Sequence, residues 1–410
     1  MTEHVNTVVI GGGQAGLSIS YYLSQQGREH VVLEKDRPGE AWRSKKWDSF
    51  TLVTPNRQLQ LPGFAYDGDD PHGFLTRDDV VQIIDEYVAS FHPPLRLGVE
   101  ATSVEGEAAG DGLRVETDAG ELKAANVVVA TGTFQRPKIP AFSQRVSPGV
   151  VQVHSSLYRN PGKLPPGPVL VVGSGQSGSQ ITEELYQSGR KVYLSTSSVG
   201  RAPRRYRGRD FTWWLDHMGF VDQTVDQLDS PAERFDPNPR VTGKDGGHTL
   251  NLHQFALDGV TLLGRMEGAR GSQIRLADDL RENLKAADKG AAQMKKGIDK
   301  FIQKSGVDAP EDDQPELRAG YDAEVITELD LTSVGITSIV WATGYAFDFS
   351  SLVRFPIWDE FGYPVQKRGV TNQPGLYFLG LHWMHTLKSG LFAGIAEDAA
   401  HVAEHIADRS

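Results

Sequence analysis

The chain has 410 residues, enough for two or three domains, and its 39% hydrophobic and 23% charged residues are typical of a folded globular protein. Its 42 Lys and Arg residues against 53 Asp and Glu residues give a formal net charge of −11, which argues against a nucleic-acid-binding protein, since that function needs excess positive charge. The absence of cysteine excludes disulfide bonds, cysteine-ligated metal sites and a redox-active dithiol.

No apolar run in the sequence approaches the roughly 20 residues that span a bilayer. The first residues also lack the basic and apolar regions of a secretory signal. We therefore expect no membrane partner and a cytoplasmic location. Glycine is abundant, with 44 residues, and it clusters at two places that indicate a function.

The first glycine cluster follows a predicted strand and opens a predicted helix. Residues 11–16 read Gly-Gly-Gly-Gln-Ala-Gly, in which Gly11 permits a sharp turn, Gly13 lets a pyrophosphate approach, and Gly16 lets the helix pack on the strand. The next strand ends in Glu34, about 20 residues after the third glycine, where a carboxylate accepts hydrogen bonds from a ribose. The pattern predicts a dinucleotide site, with an ordinary βαβ turn as the alternative.

A second strand, glycine cluster and helix occur in the middle of the chain. Residues 173–178 read Gly-Ser-Gly-Gln-Ser-Gly, so Gly173, Gly175 and Gly178 have the same spacing as the first cluster. A serine-hydrolase elbow is excluded, because Ser179 stands where that motif needs its second glycine. The repeat predicts a second dinucleotide site.

The strand after the second turn ends without an acid. Ser195 and Thr196 are followed instead by five arginines within residues 201–209. Hydroxyl and guanidinium groups would bind a 2′-phosphate that an acid would repel, so we predict NADPH here, with Arg201 and Arg204 as the phosphate contacts. A solvated basic surface loop is the alternative.

Two dinucleotide sites in one chain predict a flavin and a nicotinamide that exchange a hydride. Residues 127–132 and 339–345 both read as strands that end in Ala-Thr-Gly, small residues that let the backbone pass close to a cofactor or switch between domains. Near the C-terminus, a predicted strand over 375–380 precedes a predicted helix over 388–406. The start of that helix would stabilise a reduced flavin, close the first domain, or do both.

With these motifs the sequence resembles the class B flavoprotein monooxygenases, especially the flavin-containing and YUCCA-type enzymes. The resemblance is carried by both glycine turns, both Ala-Thr-Gly segments, residues 39–42 (Gly-Glu-Ala-Trp), residues 51–62 and the ending at Gly375. It implies an α/β fold of two Rossmann-like dinucleotide-binding domains, with the NADPH domain inserted into the FAD domain.

The resemblance also implies domain limits. We expect the FAD domain at residues 1–155 and 325–410, and the NADPH domain at 156–324, with a divergent insert at 206–321. Within that insert, an apolar seam predicts one long helix from Leu280 to Phe301. The seam would pack on its own domain, form a homodimer contact or cover a substrate channel.

The implied reaction uses FAD, NADPH and O2: NADPH reduces FAD, oxygen adds at the flavin C4a carbon, and the peroxyflavin transfers one oxygen atom to a small organic substrate. The spacing around Gly149 and His154 departs from the family signature, and residues 43–49 lack the Baeyer–Villiger motif. We therefore favour heteroatom oxidation or oxidative decarboxylation. The alternatives are a flavin reductase that passes electrons to a protein or small acceptor, and a flavin-binding protein with a sensory or structural role.

Asn56 is the predicted catalytic residue, because the family places an Asn near the flavin in the equivalent stretch; an ordinary Asn turn after Pro55 is the alternative. Trp42 would pack beside the flavin or in the core, and His154 is expected to be structural. Two pairs of histidines lack a third ligand, so no metal site is predicted. The full set of predicted cofactor-binding residues is Gly11, Gly13, Gln14, Ala15, Gly16, Glu34, Lys35, Ala41, Trp42, Thr54, Val104, Ala130, Thr131, Gly132, Gly173, Ser174, Gly175, Gln176, Ser177, Gly178, Ser195, Thr196, Arg201, Arg204, Ala342, Thr343, Gly344, Gly380, Gly390 and Leu391.

Overall fold

A computed structural model describes residues 3–107, 112–312 and 314–409. The strands of the N-terminal part are β1 (Glu3–Ile10), β2 (His30–Glu34), β3 (Gln60–Leu61), β4 (Phe64–Ala65), β5 (Leu95–Leu97), β6 (Ala101–Gly106), β7 (Leu113–Thr117), β8 (Gly120–Val129), β9 (Arg136–Pro137) and β10 (Val151–His154). The later strands are β11 (Val169–Val172), β12 (Val192–Ser195), β13 (Arg205–Tyr206), β14 (Arg209–Asp210), β15 (Thr261–Leu263), β16 (Met266–Arg270), β17 (Gln273–Leu276), β18 (Glu328–Asp330), β19 (Ser338–Trp341), β20 (Tyr345–Ala346), β21 (Gln366–Lys367), β22 (Val370–Thr371) and β23 (Leu376–Phe378).

The helices lie between groups of these strands or after the last of them. They are α1 (Gln14–Gln25), α2 (Glu40–Ser44), α3 (Arg77–Phe91), α4 (Gln176–Gln187), α5 (Phe211–His217), α6 (Leu252–Leu257), α7 (Leu280–Ser305) and α8 (Ile395–Arg409). Short 3₁₀ turns lie at Asn56–Gln58, Ala141–Arg145, Pro161–Lys163, Val225–Gln227, Pro231–Phe235, Lys244–Gly246, Ala319–Asp322 and Phe349–Ser351. None of the helices in the described ranges combines the length and apolar composition needed to cross a bilayer.

The first sheet has nine strands, with β1 near its centre. Its order is β21-β22-β23-β8-β1-β2-β5, with β7 also paired to β8 and β6 to β7. The five strands from β23 to β5 are mutually parallel, and Val8 of β1 pairs with Val31 on one side and Val127 on the other. Because the central strands are buried on both faces, they read as continuous apolar runs.

The second sheet has five parallel strands in the order β10-β19-β11-β12-β15. In the chain, all of these strands lie between β8 and β21 of the first sheet, so the second sheet is inserted into the first fold. Both sheets carry a strand, a glycine turn and a helix in succession: β1 with α1, and β11 with α4. The arrangement confirms the predicted α/β class with two Rossmann-like folds.

The strand pairing changes the predicted assignment of two segments. Residues 151–154 and 338–341 were expected in the FAD domain, but they form β10 and β19 of the second sheet. Both segments belong to the second sheet because β19 lies between β10 and β11 and forms hydrogen bonds to both strands. The domain limits themselves stay a prediction.

The predicted helix over 388–406 is shorter than expected, because α8 begins only at Ile395. Gly390 has a φ of 79°, a left-handed conformation that an α-helix does not contain. Residues 388–394 therefore form a turn-rich segment, which we call the C-terminal loop. The long helix from Leu280 is confirmed as α7, and its seam packs on its own molecule, with Leu280, Leu284, Ala287, Ala291 and Ile298 buried.

Polar contacts hold the inserted part against the first sheet. Asp216 of α5 forms an ion pair of 3.0 Å with Arg57 and also accepts hydrogen bonds from Gln58. The carboxylate of Glu184 on α4 accepts a 2.8 Å hydrogen bond from the hydroxyl of Ser49. The same carboxylate accepts a 2.6 Å hydrogen bond from the hydroxyl of Tyr158. These contacts place the two glycine turns in one continuous structure.

Candidate functional site

The two glycine turns have matching geometry at their first glycine. Gly11 has a φ of 111° and Gly173 a φ of 104°, values that favour glycine. A Cβ atom would lie 2.6 Å from the carbonyl oxygen of Ala130 at Gly11, and 2.5 Å from that of Ala342 at Gly173. Each first glycine is therefore packed against the Ala-Thr-Gly segment of its own sheet.

The third glycine of each turn is also sterically required. A Cβ atom at Gly16 would lie 1.8 Å from the carbonyl oxygen of Gly11, and one at Gly178 would lie 1.8 Å from that of Gly173. No side chain fits at such a distance. Because glycine has no side chain, each helix can start directly against its strand.

The middle glycine of each turn faces open space. A Cβ atom at Gly13 or Gly175 would have no neighbour within 4 Å, and neither residue has a positive φ. Helices α1 and α4 begin at these glycines, and no side chain caps either one. Uncapped N–H groups beside open space suit a pyrophosphate, because the helix dipole favours negative charge there.

The predicted ribose-binding acid lies beside the first turn. One Glu34 carboxylate oxygen accepts a 2.7 Å hydrogen bond from the Gly12 N–H, and the other accepts a 3.0 Å bond from the Asp36 N–H. The structure thus brings Glu34 to the glycine turn, as the sequence predicts. Lys35 points elsewhere and forms an exposed ion pair of 3.1 Å with Glu100.

The first turn is contacted by two predicted glycines, Gly380 just after β23 and Gly390 of the C-terminal loop. A Cβ atom at Gly380 would lie 2.6 Å from the Cβ atom of Ala15. The Gln14 side-chain amide donates a 2.7 Å hydrogen bond to the Gly390 carbonyl oxygen. Leu391 follows with 40% of its surface exposed. Gln14 therefore acts through its side chain, which the sequence argument did not foresee.

Gln176 has the same place in the second turn and a similar contact. Its side-chain amide donates to the carbonyl oxygen of Val241 and accepts a 3.2 Å hydrogen bond from the Val241 N–H. A glutamine after the middle glycine is thus used twice to hold a distant backbone segment. The repeated glutamine at positions 14 and 176 is the sequence signal for this role.

An aromatic cluster lies beside the C-terminal loop. Trp42 of α2 stacks on Phe392 with ring centroids 5.7 Å apart. The Lys46 ammonium lies 5.4 Å from the Trp42 ring, 5.1 Å from the Phe50 ring and 5.4 Å from the Phe134 ring. Burial lowers the pKa of Lys46 to about 8. Lys46 was not predicted from the sequence, because nothing in the residues around it indicates that these rings lie nearby.

The candidate Asn56 is buried and has backbone partners for its side chain. Its amide nitrogen donates a 2.9 Å hydrogen bond to the Asp70 carbonyl oxygen, and its amide oxygen accepts a 2.7 Å bond from the Leu75 N–H. These bonds hold the loop before α3. The catalytic role of Asn56 stays a prediction, and so does cofactor contact by its neighbour Thr54.

The two Ala-Thr-Gly segments lie side by side. The residues that follow them form β9 and β20, which pair with each other, and the rings of Phe134 and Tyr345 lie 5.1 Å apart. The Nε2–H of His154 donates a 3.1 Å hydrogen bond to the Gly344 carbonyl oxygen, and the ring packs on Tyr345. This placement agrees with a structural role for His154. Val104 is buried in β6, where its N–H donates to the carbonyl oxygen of Leu352.

The predicted 2′-phosphate contacts all have protein partners. The Ser195 hydroxyl donates to the Gly264 carbonyl oxygen at 3.0 Å, and the Thr196 hydroxyl to the Leu263 carbonyl oxygen at 2.8 Å. Arg201 forms a 3.0 Å ion pair with Asp288. The phosphate contacts of Ser195, Thr196 and Arg201 stay predictions.

Arg204 contacts residues of the first fold. Its guanidinium forms a 2.8 Å ion pair with Asp210 and donates a 2.6 Å hydrogen bond to the Val53 carbonyl oxygen. It also lies 4.2 Å from the ring centroid of Phe74, and only 1% of the residue is exposed. These contacts link the insert to the loop before Asn56. A phosphate contact by Arg204 stays a prediction.

One further cation lies at the second turn. Arg240 is buried against Ser174 of the second turn, a contact that no sequence pattern indicated. Across the three described ranges, no group of three or more His, Cys, Asp or Glu side chains could hold a metal ion.

Comparison with protein families gives one clear match. A family model described as pyridine nucleotide-disulphide oxidoreductase matches residues 8–216, about half of the chain, which include both glycine turns. An uncharacterized oxidoreductase CzcO-like from Geobacillus kaustophilus (strain HTA426) is 31% identical over 410 residues, which cover 99% of both chains.

Two further similarities concern monooxygenases. Indole-3-pyruvate monooxygenase YUCCA1 from Oryza sativa subsp. japonica is 30% identical over 204 residues, which cover 49% of this chain and 50% of that protein. A flavin-containing monooxygenase from Stenotrophomonas maltophilia has a similar structure, with a TM-score of 0.68, 19% identity and 99% coverage of both chains. At that identity, the structural similarity establishes the fold. The resemblance to class B flavoprotein monooxygenases is confirmed.

Proposed function

The chain belongs to the pyridine nucleotide-disulphide oxidoreductase family, and from that premise we propose that it is an NADPH-dependent, FAD-containing monooxygenase of small organic molecules. The chain is a flavin-dependent oxidoreductase whose fold suits a flavin and a nicotinamide dinucleotide. We further propose NADPH as the second nucleotide, oxygen as a co-substrate and an oxygenated small molecule as the product.

The observation that carries the proposal is the duplicated glycine turn. Both turns have a first glycine against an Ala-Thr-Gly carbonyl, a middle glycine facing open space and a third glycine against the first. They differ in charge: Glu34 contacts the first turn, whereas Arg240 contacts Ser174 of the second. This difference supports FAD at the first turn and a phosphorylated nicotinamide dinucleotide at the second.

The proposed roles of the chain's residues are binding and positioning. The N-termini of α1 and α4 would hold the two pyrophosphates, with Glu34 on the flavin nucleotide's ribose and Arg201 near the second nucleotide's phosphate. The Gln14 contact to Gly390 would keep the C-terminal loop over the first site. When bound, NADPH and FAD supply the hydride transfer and oxygen activation that side chains cannot perform.

We propose several classes of substrate rather than one compound. In the aromatic cluster, Phe50 and Phe392 are buried, whereas Trp42 is part-buried and Phe134 is 50% exposed, so the last two rings could offer apolar surface to a substrate. YUCCA1 is named as an indole-3-pyruvate monooxygenase, and that substrate is an aromatic 2-oxo acid, which supports oxidative decarboxylation; heteroatom oxidation is kept because residues 43–49 lack the Baeyer–Villiger motif. The candidate substrates are therefore amines, sulfides and 2-oxo acids.

The alternative is a flavin reductase that passes electrons to a small or protein acceptor. The family description includes disulphide chemistry, but this chain has no cysteine. A cysteine-based relay within this chain is thus excluded. Reduction of an external acceptor needs only the two nucleotide sites, so it stays open as a second function.

Rapid mixing separates these two functions. The purified protein, loaded with FAD and reduced with NADPH, is mixed with oxygen while the oxidised-flavin absorbance and hydrogen peroxide are followed. A monooxygenase should delay the return of that absorbance and release little peroxide while NADP⁺ is bound. Immediate return with one peroxide per flavin would favour the reductase. A protein that binds no FAD would contradict both.

A further inference from the structure

We propose that Arg240 selects NADPH over NADH by binding the 2′-phosphate of the nicotinamide dinucleotide beside Ser174. The inference rests on the proposed function, because it requires a nicotinamide dinucleotide at the second glycine turn. Arg240 is not among the residues predicted from the sequence, since 66 positions separate it from Ser174. It belongs to the divergent insert, for which the sequence argument assigned no role.

The first glycine turn indicates where the ribose lies in the second. The two turns make the same hydrogen bond to the neighbouring strand. The Gly11 N–H donates to the Leu33 carbonyl oxygen at 2.8 Å, and the Gly173 N–H donates to the Ser195 carbonyl oxygen at 2.9 Å. The residue after each first glycine is therefore equivalent, which pairs Gly12 with Ser174.

The charged group that contacts this residue has the opposite sign in the two turns, at the N–H of Gly12 and at the carbonyl oxygen of Ser174. In the first turn, Gly12 contacts the Glu34 carboxylate at 2.7 Å, the kind of acid that binds an unphosphorylated ribose. In the second turn, Ser174 contacts a cation, because Arg240 donates from Nη1 to the Ser174 carbonyl oxygen at 3.1 Å. The residue aligned with Glu34 is Thr196, whose hydroxyl is already bonded inside the protein.

Arg240 lacks a bonded acid, unlike its arginine neighbours. Arg201 pairs with Asp288, and Arg204 pairs with Asp210. Arg240 is fully buried, and its Nε and Nη2 atoms have no hydrogen-bond partner within the described residues. Burial and the charge of Arg201 lower the pKa of Arg240 to about 10, while the charge of Asp288, which is not bonded to it, acts in the opposite direction. A buried cation with free donors is costly unless an anion completes its bonding.

The backbone around Arg240 holds the guanidinium at the start of α4. The Arg240 N–H donates to the Gly200 carbonyl oxygen at 3.1 Å. The next residue, Val241, is held by Gln176 in the first turn of α4. The insert therefore crosses the second glycine turn at the place where the helix N-terminus favours phosphate. A phosphate at the free Nε and Nη2 atoms would complete the hydrogen bonding of this guanidinium.

Calorimetric titration of the FAD-loaded protein tests the proposal without relying on turnover. NADP⁺ and NAD⁺ are compared, together with adenosine 2′,5′-bisphosphate and adenosine 5′-monophosphate, two pairs that differ only in the 2′-phosphate. Arg240→Gln should weaken binding of the phosphorylated member of each pair by about 10- to 100-fold, the loss expected for a charged hydrogen bond. The unphosphorylated members should change by less than about threefold.

Two further variants complete the test. Arg275→Gln removes a side chain that is 68% exposed and pairs with Glu267, and it should leave all four affinities unchanged. Arg240→Lys keeps the charge and should lose less affinity for NADP⁺ than Arg240→Gln does. If Arg240→Gln does not fold, Arg240→Lys decides: a selective loss of NADP⁺ affinity supports the proposal, and an unchanged ratio of NADP⁺ to NAD⁺ affinity overturns it.

Three other outcomes would overturn the assignment. Equal losses for phosphorylated and unphosphorylated ligands would make Arg240 a structural residue. Wild-type protein that binds NAD⁺ as tightly as NADP⁺ would refute selection by Arg240 while leaving the second dinucleotide site intact. Wild-type protein that binds neither nucleotide would refute the proposed function itself, and this inference with it.

Discussion

The side-chain amide of Gln14 donates a 2.7 Å hydrogen bond to the carbonyl oxygen of Gly390, a residue 376 positions away. The bond joins the N-terminus of α1 to the C-terminal loop. Because the loop has only turns before α8 begins at Ile395, few other backbone bonds hold it over the first glycine turn. The contact makes the end of the chain part of the proposed flavin site.

We expect Gln14→Leu to weaken FAD binding about fivefold, since a hydrogen bond of this type contributes about 1 kcal/mol. Flavin fluorescence released on dilution measures the dissociation constant. Gln25→Leu at the exposed end of the same helix is the matched control and should leave FAD binding unchanged. Equal FAD affinity in Gln14→Leu and wild type would contradict a role for this bond.

Gly16→Ala and Gly178→Ala should each damage one site. Either Cβ atom would lie 1.8 Å from a carbonyl oxygen, so the helix must move away from its strand. We expect Gly16→Ala to abolish FAD retention. Gly178→Ala should keep its yellow FAD but lose at least about tenfold in NADPH affinity, consistent with a loss of 1.4 kcal/mol or more.

Gly290→Ala in the middle of α7 is the control for both glycine variants. A Cβ atom there meets nothing within 4 Å, and alanine favours a helix over glycine by about 1 kcal/mol. The variant should bind both nucleotides normally and melt about 2 °C higher. Loss of both FAD and NADPH in Gly178→Ala would show that the two turns are not independent sites.

Arg201 and Arg204 should differ when each is replaced by methionine. Arg201→Met should weaken NADPH more than NADH, because its guanidinium is predicted to lie near the 2′-phosphate. Arg204→Met should mainly lower the free energy of unfolding, by about 3 kcal/mol, since it leaves the part-buried Asp210 unpaired. Urea unfolding and nucleotide titration of both variants distinguish these roles. Normal stability in Arg204→Met together with selective NADPH loss would support the predicted phosphate contact of Arg204 instead.

The free energy of unfolding should depend on pH through the protonation of His248. Its Nε2 lies 2.6 Å from the Glu183 carboxylate, and this hydrogen bond, with the carboxylate charge, raises the pKa of His248 above its ordinary 6.5 despite partial burial. The protonated form is favoured in the folded state. This contribution is therefore complete below the unfolded pKa of about 6.5 and is lost as pH rises through the higher folded value.

His248→Gln should accordingly destabilise the protein more at pH 5.5 than at pH 8.5. Urea unfolding of wild type and variant at both pH values measures the difference. Gln is matched in size and keeps a hydrogen-bond donor for Glu183, so the pH-dependent part reports the charge. A loss that is the same at both pH values would exclude protonation of His248 as the cause.

Local residue patterns determined the two glycine turns and the fold class. Gly11, Gly13 and Gly16 act within six residues of one another, and their steric needs are the same wherever a strand turns directly into a helix. The repetition at Gly173 made the second site predictable for the same reason. Glu34 was also predictable, because the helix and strand between Gly16 and Glu34 have a nearly constant length.

The tertiary structure alone decided which charges are free and which backbone segments cover the turns. Arg201 and Arg204 look alike in the sequence, yet Asp288, Asp210 and Val53 determine their surroundings. Arg240 reaches Ser174 only because strands far apart in the chain pair in one sheet and carry the insert across α4. Side-chain pairing over such separations depends on the packing of the whole chain, which no local spacing encodes.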